Sequence, residues 1–323
     1  MKIFKMENRG LDKIIIFFNK KFVLRNYKLK QYIKKNKLST YDTICFLLVN
    51  AGESFVISQY IKEISKNHTI FLCQHNYSNE IFEMYAPDAE VKLINSNKIC
   101  NLLRESGKEK INIDNIDVNI LFPQSFWDEF WTNERPVHFL EKFNSYFSKI
   151  EEHKFKPPKI NNNQEFLKNF NLQNLIVLFT EVSSIKPINK TFWEALVKKL
   201  KNQGYNVFQN TVNPDNYING CNVFKENGVL KYLTLEQCYI LLSNAKGVIA
   251  HRCGFIEPLI TANNNWQIIY TRSHTFENTD VKTLYSLQKY PMANASRIME
   301  YQFEDYENKE LLIDTMIEKI KGE

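Results

Sequence analysis

Short, unbroken apolar runs of strand length alternate with stretches whose apolar residues recur near every 3.6 positions, and they do so twice along the chain. Runs of this kind suit strands buried on both faces of a parallel sheet, and the intervening periodicity suits helices packed across it. In the first half TICFLLVN, HTIFLCQ, AEVKLIN and VNILFPQ read as strands. FVISQYIKEISKN, NEIFEMYA and ICNLLRES read as helices between them. The rhythm breaks at residues 139–164, where a helix-like FLEKFNSYFSKIEEH leads into KFKPPKINNNQ, a linker by its two prolines and three asparagines. It then resumes. LIVLFT, YNVFQN, KGVIAH and WQIIYT read as strands; KTFWEALVKKLKNQG, LTLEQCYILLSNA, GFIEPLITANN and the terminal ENKELLIDTMIEKIKGE read as helices.

That pattern predicts an α/β protein with two Rossmann-like, doubly wound parallel-sheet domains facing a cleft. The boundaries that follow are a basic extension over 1–40, a first domain over 41–155, a second over 156–305 and a closing helix over 306–323. A chain of 323 residues has room for two cores of ordinary size.

Charge is concentrated at the start. Residues 1–37 hold 12 Lys or Arg against Glu7 and Asp12, whereas the whole chain carries only +6. Because apolar residues interleave with these cations, the segment suits either a solvated extension packed on the body or attachment to an anionic membrane surface. Nothing else along the chain supports nucleic-acid binding. No apolar run approaches the ~20 residues that span a bilayer, and a signal-peptide core is not evident, so the expected location is cytoplasmic, at most peripheral to the inner membrane. The six cysteines (Cys45, Cys73, Cys100, Cys221, Cys238 and Cys253) form no CxxC pair and read as reduced thiols.

Ligands of doubly wound sheets bind beyond the carboxyl ends of the strands. Three loops fall there. In AGES, Gly52 permits close backbone approach, with Glu53 and Ser54 beside it; Glu53 can act as a general base or can simply satisfy a helix N-terminus. In TEVSSIKPINK, Thr180, Ser183, Ser184, Lys186 and Lys190 supply the hydroxyls and cations of a phosphate site, without the GxxxxGK-Ser/Thr pattern of a P-loop. In HRCGFIEP, Arg252 and a helix starting at Gly254 suit a diphosphate, His251 can donate to it, and Glu257 can accept from a ribose diol. Trp193 reads as core. No HExxH, zinc-finger spacing or DxD pair at a strand end occurs. Diphosphate charge would then be met by helix N-termini, Lys and Arg, with no cofactor or metal.

NAGESFVISQYIKEI, IKPINKTFWEALVKKLKNQGYNVF and LTLEQCYILLSNAKGVIAHRCGFIEPL together resemble the GT-B glycosyltransferases, in particular bacterial lipopolysaccharide heptosyltransferases and capsule or lipooligosaccharide transferases. HRCGFIEPL is similar to the R-S-G-L/I-C-D-L element of surface-polysaccharide transferases, with Cys253 for Ser and Glu257 for Asp. The resemblance implies that Glu53, standing where the family has Asp, is the base. It also implies that Lys190, Arg252, Cys253 and Gly254 contact donor phosphates; R-C-G stands where heptosyltransferases carry D-T-G. The implied activity moves a sugar from a nucleotide-diphosphate sugar to a saccharide or glycolipid acceptor in surface-glycan synthesis. A nucleotide-sugar 2-epimerase and a non-catalytic nucleotide- or glycan-binding protein are the alternatives.

Overall fold

A computed structural model describes residues 4–17, 20–65, 68–121, 138–141, 143, 155–161, 164–183, 185–262, 265–272, 281–291 and 293–322. Most of FLEKFNSYFSKIEEH, the end of VNILFPQ and Ser184 lie outside them. The chain divides into two compact units, Met1–Asn133 with Tyr146–Lys149, and Glu134–Ser145 with Ile150–Glu323.

The first unit opens with three antiparallel strands in sequential order, β1 (Phe4–Arg9), β2 (Asp12–Phe17) and β3 (Lys20–Leu24), followed by helix α1 (Tyr27–Lys35). This is the basic segment read above as an extension. It is instead folded, and Leu11, Leu29, Ile33 and Leu38 are buried in the core of the unit. The next elements are β4 (Thr43–Leu47), α2 (Ala51–Gln59), the single turn α3 (Ile61–Ile64), β5 (Thr69–Cys73), α4 (Asn76–Tyr85), β6 (Glu90–Leu93), α5 (Asn97–Ser106), β7 (Lys110–Ile113) and β8 (Ile116–Leu121). Their sheet has the order β6-β5-β4-β8-β7. Every pair is parallel except the β7–β8 hairpin, whose Asp114 and Asn115 take φ of 48° and 72°, as a tight primed turn requires. Alternate residues of β4 serve opposite faces: Ile44 and Phe46 join the core with α1 and α5. On the α4 side, Phe71 of β5 meets Phe82 at 5.4 Å between ring centroids.

The second unit contains β9 (Leu175–Phe179), α6 (Lys190–Asn202), β10 (Asn206–Gln209), the two-residue strands β11 (Lys225–Glu226) and β12 (Val229–Leu230), α7 (Leu235–Ser243), β13 (Gly247–His251), β14 (Trp266–Tyr270), α8 (Val281–Tyr285), β15 (Ile298–Gln302) and α9 (Lys309–Lys321). The main sheet is wholly parallel, ordered β10-β9-β13-β14-β15. Helices α6 and α9 cover one face: Trp193, Leu196 and Leu200 pack with Ile176, Leu178, Leu312, Met316 and Ile320. The closing helix is therefore part of this core. A full capping box, Thr234 with Gln237, starts α7. GFIEPLITANN is not an α-helix: Pro258 falls within it, and only a 3-10 segment forms over Gly254–Leu259.

Each sheet reverses its winding once. In the first, the chain runs outward from β4 to β6 and then returns to β8 on the other side of β4. In the second, it runs from β9 to β10 and then crosses to β13. The crevices at these reversals, between β4 and β8 and between β9 and β13, are where such sheets take ligands. Among the described residues no helix is long and apolar enough to cross a membrane.

Candidate functional site

At the first reversal, AGES is the opening turn of α2 rather than a loop. Gly52 and Glu53 are buried there. The Glu53 charge reaches Tyr77, whose hydroxyl is pushed up to about 12 by burial first and by Glu53 second. Ser54 is fully buried, with its Oγ 2.8 Å from Ser78 Oγ, so it joins α2 to α4 and does not face an acceptor. Of the three, Glu53 is the one ionisable side chain, 8% exposed in the first turn of α2.

At the second reversal, the loop after β9 is anchored from two sides. The Lys186 amide donates to the Arg272 carbonyl at 3.0 Å, and the Lys186 carbonyl accepts from the Thr271 hydroxyl at 2.6 Å. On the other side, Gln209 Nε2 donates to Thr180 Oγ1 at 2.9 Å. Ser183, Lys186 and Lys190 are exposed. Lys190 opens α6, capped by Asn189 accepting from the Thr191 amide, and its Nζ lies 3.4 Å from the Asp215 carbonyl. A helix N-terminus, two lysines and a serine therefore lie along one loop at the strand ends, which is a donor set for an anion.

The loop after β13 departs from the reading of its sequence. Arg252 is only 5% exposed. Its Nη2 donates to Glu257 Oε1 at 2.5 Å, its Nη1 to the Cys253 carbonyl at 2.6 Å, and its Nε to the Tyr285 carbonyl at 3.1 Å. Glu257, 3% exposed, also accepts from the Tyr290 hydroxyl. The two residues assigned to diphosphate and ribose are thus partners in a buried ion pair that ties the strand end to residues 285–290. The pair continues into a wider network, in which Tyr270 Oη donates to Glu300 at 2.7 Å and Ser286 Oγ donates to the same carboxylate at 2.7 Å.

His251 is also corrected. It is fully buried, and burial pushes its pKa down to about 3, so the ring is neutral. The single Thr271 proton goes to the Lys186 carbonyl, so His251 Nε2 must be the donor in its 2.9 Å bond to Thr271 Oγ1. His251 braces the phosphate-like loop from beneath instead of touching an anion. What remains partly exposed in this turn is Cys253, Gly254 and Phe255, at the start of the 3-10 segment.

The sequence reading passed over Glu181. Its Oε1 accepts from Thr211 and its Oε2 from the Tyr232 hydroxyl at 2.6 Å. The signal was present as a carboxylate one residue beyond Thr180 in the strand-end loop. Its partners, 30 and 51 residues further on, were not visible. Among the described residues no group of three or more His, Cys, Asp or Glu is placed to hold a metal ion.

No family model matches the sequence, and no curated protein matches it either. The architecture nevertheless defines a class, α/β with two doubly wound, largely parallel sheets. Solved structures share this fold. A glycosyl transferase family 9 protein from Veillonella parvula DSM 2008 superposes with a TM-score of 0.56 at 11% identity, over 87% of this chain and 97% of that one. The ADP-heptose lps heptosyltransferase II of E. coli gives 0.54 at 11% identity, over 87% and 98%. The likeness to heptosyltransferases noted in the sequence holds for the fold.

Proposed function

We propose that the protein is a GT-B glycosyltransferase that moves a sugar from a nucleotide-diphosphate sugar to a saccharide or glycolipid acceptor of the bacterial surface, in lipooligosaccharide or capsule. The observation that carries the proposal is the position of the loop after β9. Lys186, Lys190, Ser183 and the N-terminus of α6 stand at the carboxyl end of β9, at the winding reversal of a wholly parallel sheet. The likeness of fold to two glycosyltransferases supports it.

In this reading the second unit binds the donor. Lys186, Lys190 and the amides around Cys253 and Gly254 stabilise the diphosphate as it leaves, which is where negative charge develops. Their cationic charge lets the reaction run without a divalent ion or cofactor. Arg252 and Glu257 act indirectly, by fixing the Cys253–Gly254 turn. In the first unit Glu53, at the carboxyl end of β4, takes the proton from the acceptor hydroxyl as it attacks the anomeric carbon. The basic residues of 1–37 hold the enzyme against the anionic inner-membrane surface where such acceptors are assembled.

Glu53→Gln tests the catalytic half. Loss of a general base costs about 10²–10⁴ in turnover, and nucleoside-diphosphate affinity should stay at the wild-type value. Donor turnover unchanged in the variant would remove Glu53 from the reaction. A donor converted without any acceptor would point to epimerase chemistry instead.

A further inference from the structure

With Glu257 committed to Arg252, the ribose that a nucleotide-sugar site must hold lacks the carboxylate first assigned to it. We infer that Glu181 takes that role, accepting both hydroxyls of the donor's ribose diol. The inference rests on the nucleotide-sugar reading of the second unit and names a further specificity residue within it.

Glu181 lies two residues beyond the end of β9, on the strand-end loop that carries Ser183 and Lys186. It is half-buried. Each carboxylate oxygen already accepts one hydrogen bond, Oε1 from Thr211 and Oε2 from Tyr232, and no other partner is seen among the described residues. An ionised carboxylate offers about four acceptor sites, two on each oxygen. One site therefore remains on each oxygen, and two adjacent acceptors match two adjacent hydroxyls. The existing bonds also fix the carboxylate plane: Thr211 is fully buried, and Thr211 Oγ1 itself accepts from the Asn213 amide at 3.2 Å. Tyr232 stays a donor, since burial first and the Glu181 bond second push its hydroxyl well above the ordinary phenol range.

The surroundings favour the ribose over the hydroxyls of the transferred sugar. Two residues of chain reach at most about 7 Å, so a group on Glu181 lies within one nucleoside's length of an anion at Ser183. Tyr232 leaves 46% of its surface exposed beside the carboxylate, giving a base attached to that ribose a flat apolar face to lie on.

The test is calorimetric titration of the full chain with ADP, GDP, UDP and CDP, then with the 2′,3′-dideoxy form of the one bound most tightly. Removing both hydroxyls should weaken binding to the wild type about tenfold to a hundredfold, as expected for hydrogen bonds to a charged group. In Glu181→Gln the ribo form should weaken by a similar factor and the dideoxy form should barely change, so their ratio falls toward one; a melting temperature near wild type shows the variant is folded. Equal binding of ribo and dideoxy forms by the wild type would overturn the assignment, as would equal weakening of both by Glu181→Gln, and the nucleotide reading would survive either result. Binding of none of the four diphosphates would overturn both.

Discussion

Replacing Arg252 or Glu257 separates a structural from a ligand-binding role. The pair lies almost wholly inside the second unit, at 5% and 4% side-chain exposure, with a 2.5 Å contact. Removing one member strands the other charge away from water, which costs about 3–5 kcal/mol. Arg252→Met also removes the guanidinium bonds to the Cys253 and Tyr285 carbonyls, placing it at the upper end. For a cooperative unit of roughly 150–250 residues, each kcal/mol moves the melting temperature by about 2–4 °C. Either single variant should therefore lower the transition of the second unit by roughly 6–20 °C. The double replacement Arg252→Met with Glu257→Leu removes both charges together and should cost far less than the two singles summed. Scanning calorimetry of the four proteins, with nucleoside-diphosphate titrations below the transition, reads both quantities. If the single variants melted within about 2 °C of wild type while losing more than tenfold in nucleotide affinity, the ion pair would be incidental and Arg252 would face the ligand.

Two further outcomes follow from the same geometry. Lys186→Ala and Lys190→Ala remove exposed cations, so each should weaken nucleoside-diphosphate binding by about five- to tenfold at low salt, less at high salt, with little change in melting; titration at two ionic strengths checks this. His251 has a pKa of about 3 in the folded protein, below the ordinary 6.5, so only the unfolded chain takes up its proton between those values. Stability is therefore unaffected above about pH 6.5 and is lost as pH falls below it, by up to about 1.4 kcal/mol per pH unit. His251→Asn should flatten the fall between pH 6 and 4 in denaturant titrations; an unchanged slope would mean that His251 does not stay neutral in the folded state.

Parts of this architecture can be read directly from the letters. TICFL, TIFLC, LIVLF, GVIAH and WQIIY are buried throughout, and an uninterrupted apolar run has few other places to go. The β1–β3 meander escaped because lysines interleave with its apolar residues, masking the strand period behind a basic, amphipathic composition. Strand β7 escaped although INIDNIDVNI carries its own hairpin signal, an Asp-Asn turn between alternating residues. Strand β15, IMEYQ, is buried only at Ile298 and Tyr301 and so lacks the apolar run that marks the others.

The site was legible to a different degree. That polar and charged residues gather at the strand ends follows from topology, and Lys186, Lys190 and Glu53 were singled out in that way. Which charges face a ligand does not follow. Arg252 and Glu257 sit five residues apart across a turn, and their third member, Tyr290, is 33 positions further on. Only the folded chain shows that they neutralise one another. The same long separation hid Thr211 and Tyr232, the partners that orient Glu181.

Hydrogen exchange of the full chain, with and without the best-bound nucleoside diphosphate, locates the ligand directly. Bound nucleotide should slow exchange of amides in residues 180–190 and 252–256, at the ends of β9 and β13. Protection confined to the first unit, or none in these two segments while nucleotide is demonstrably bound, would place the donor elsewhere and contradict the proposed site.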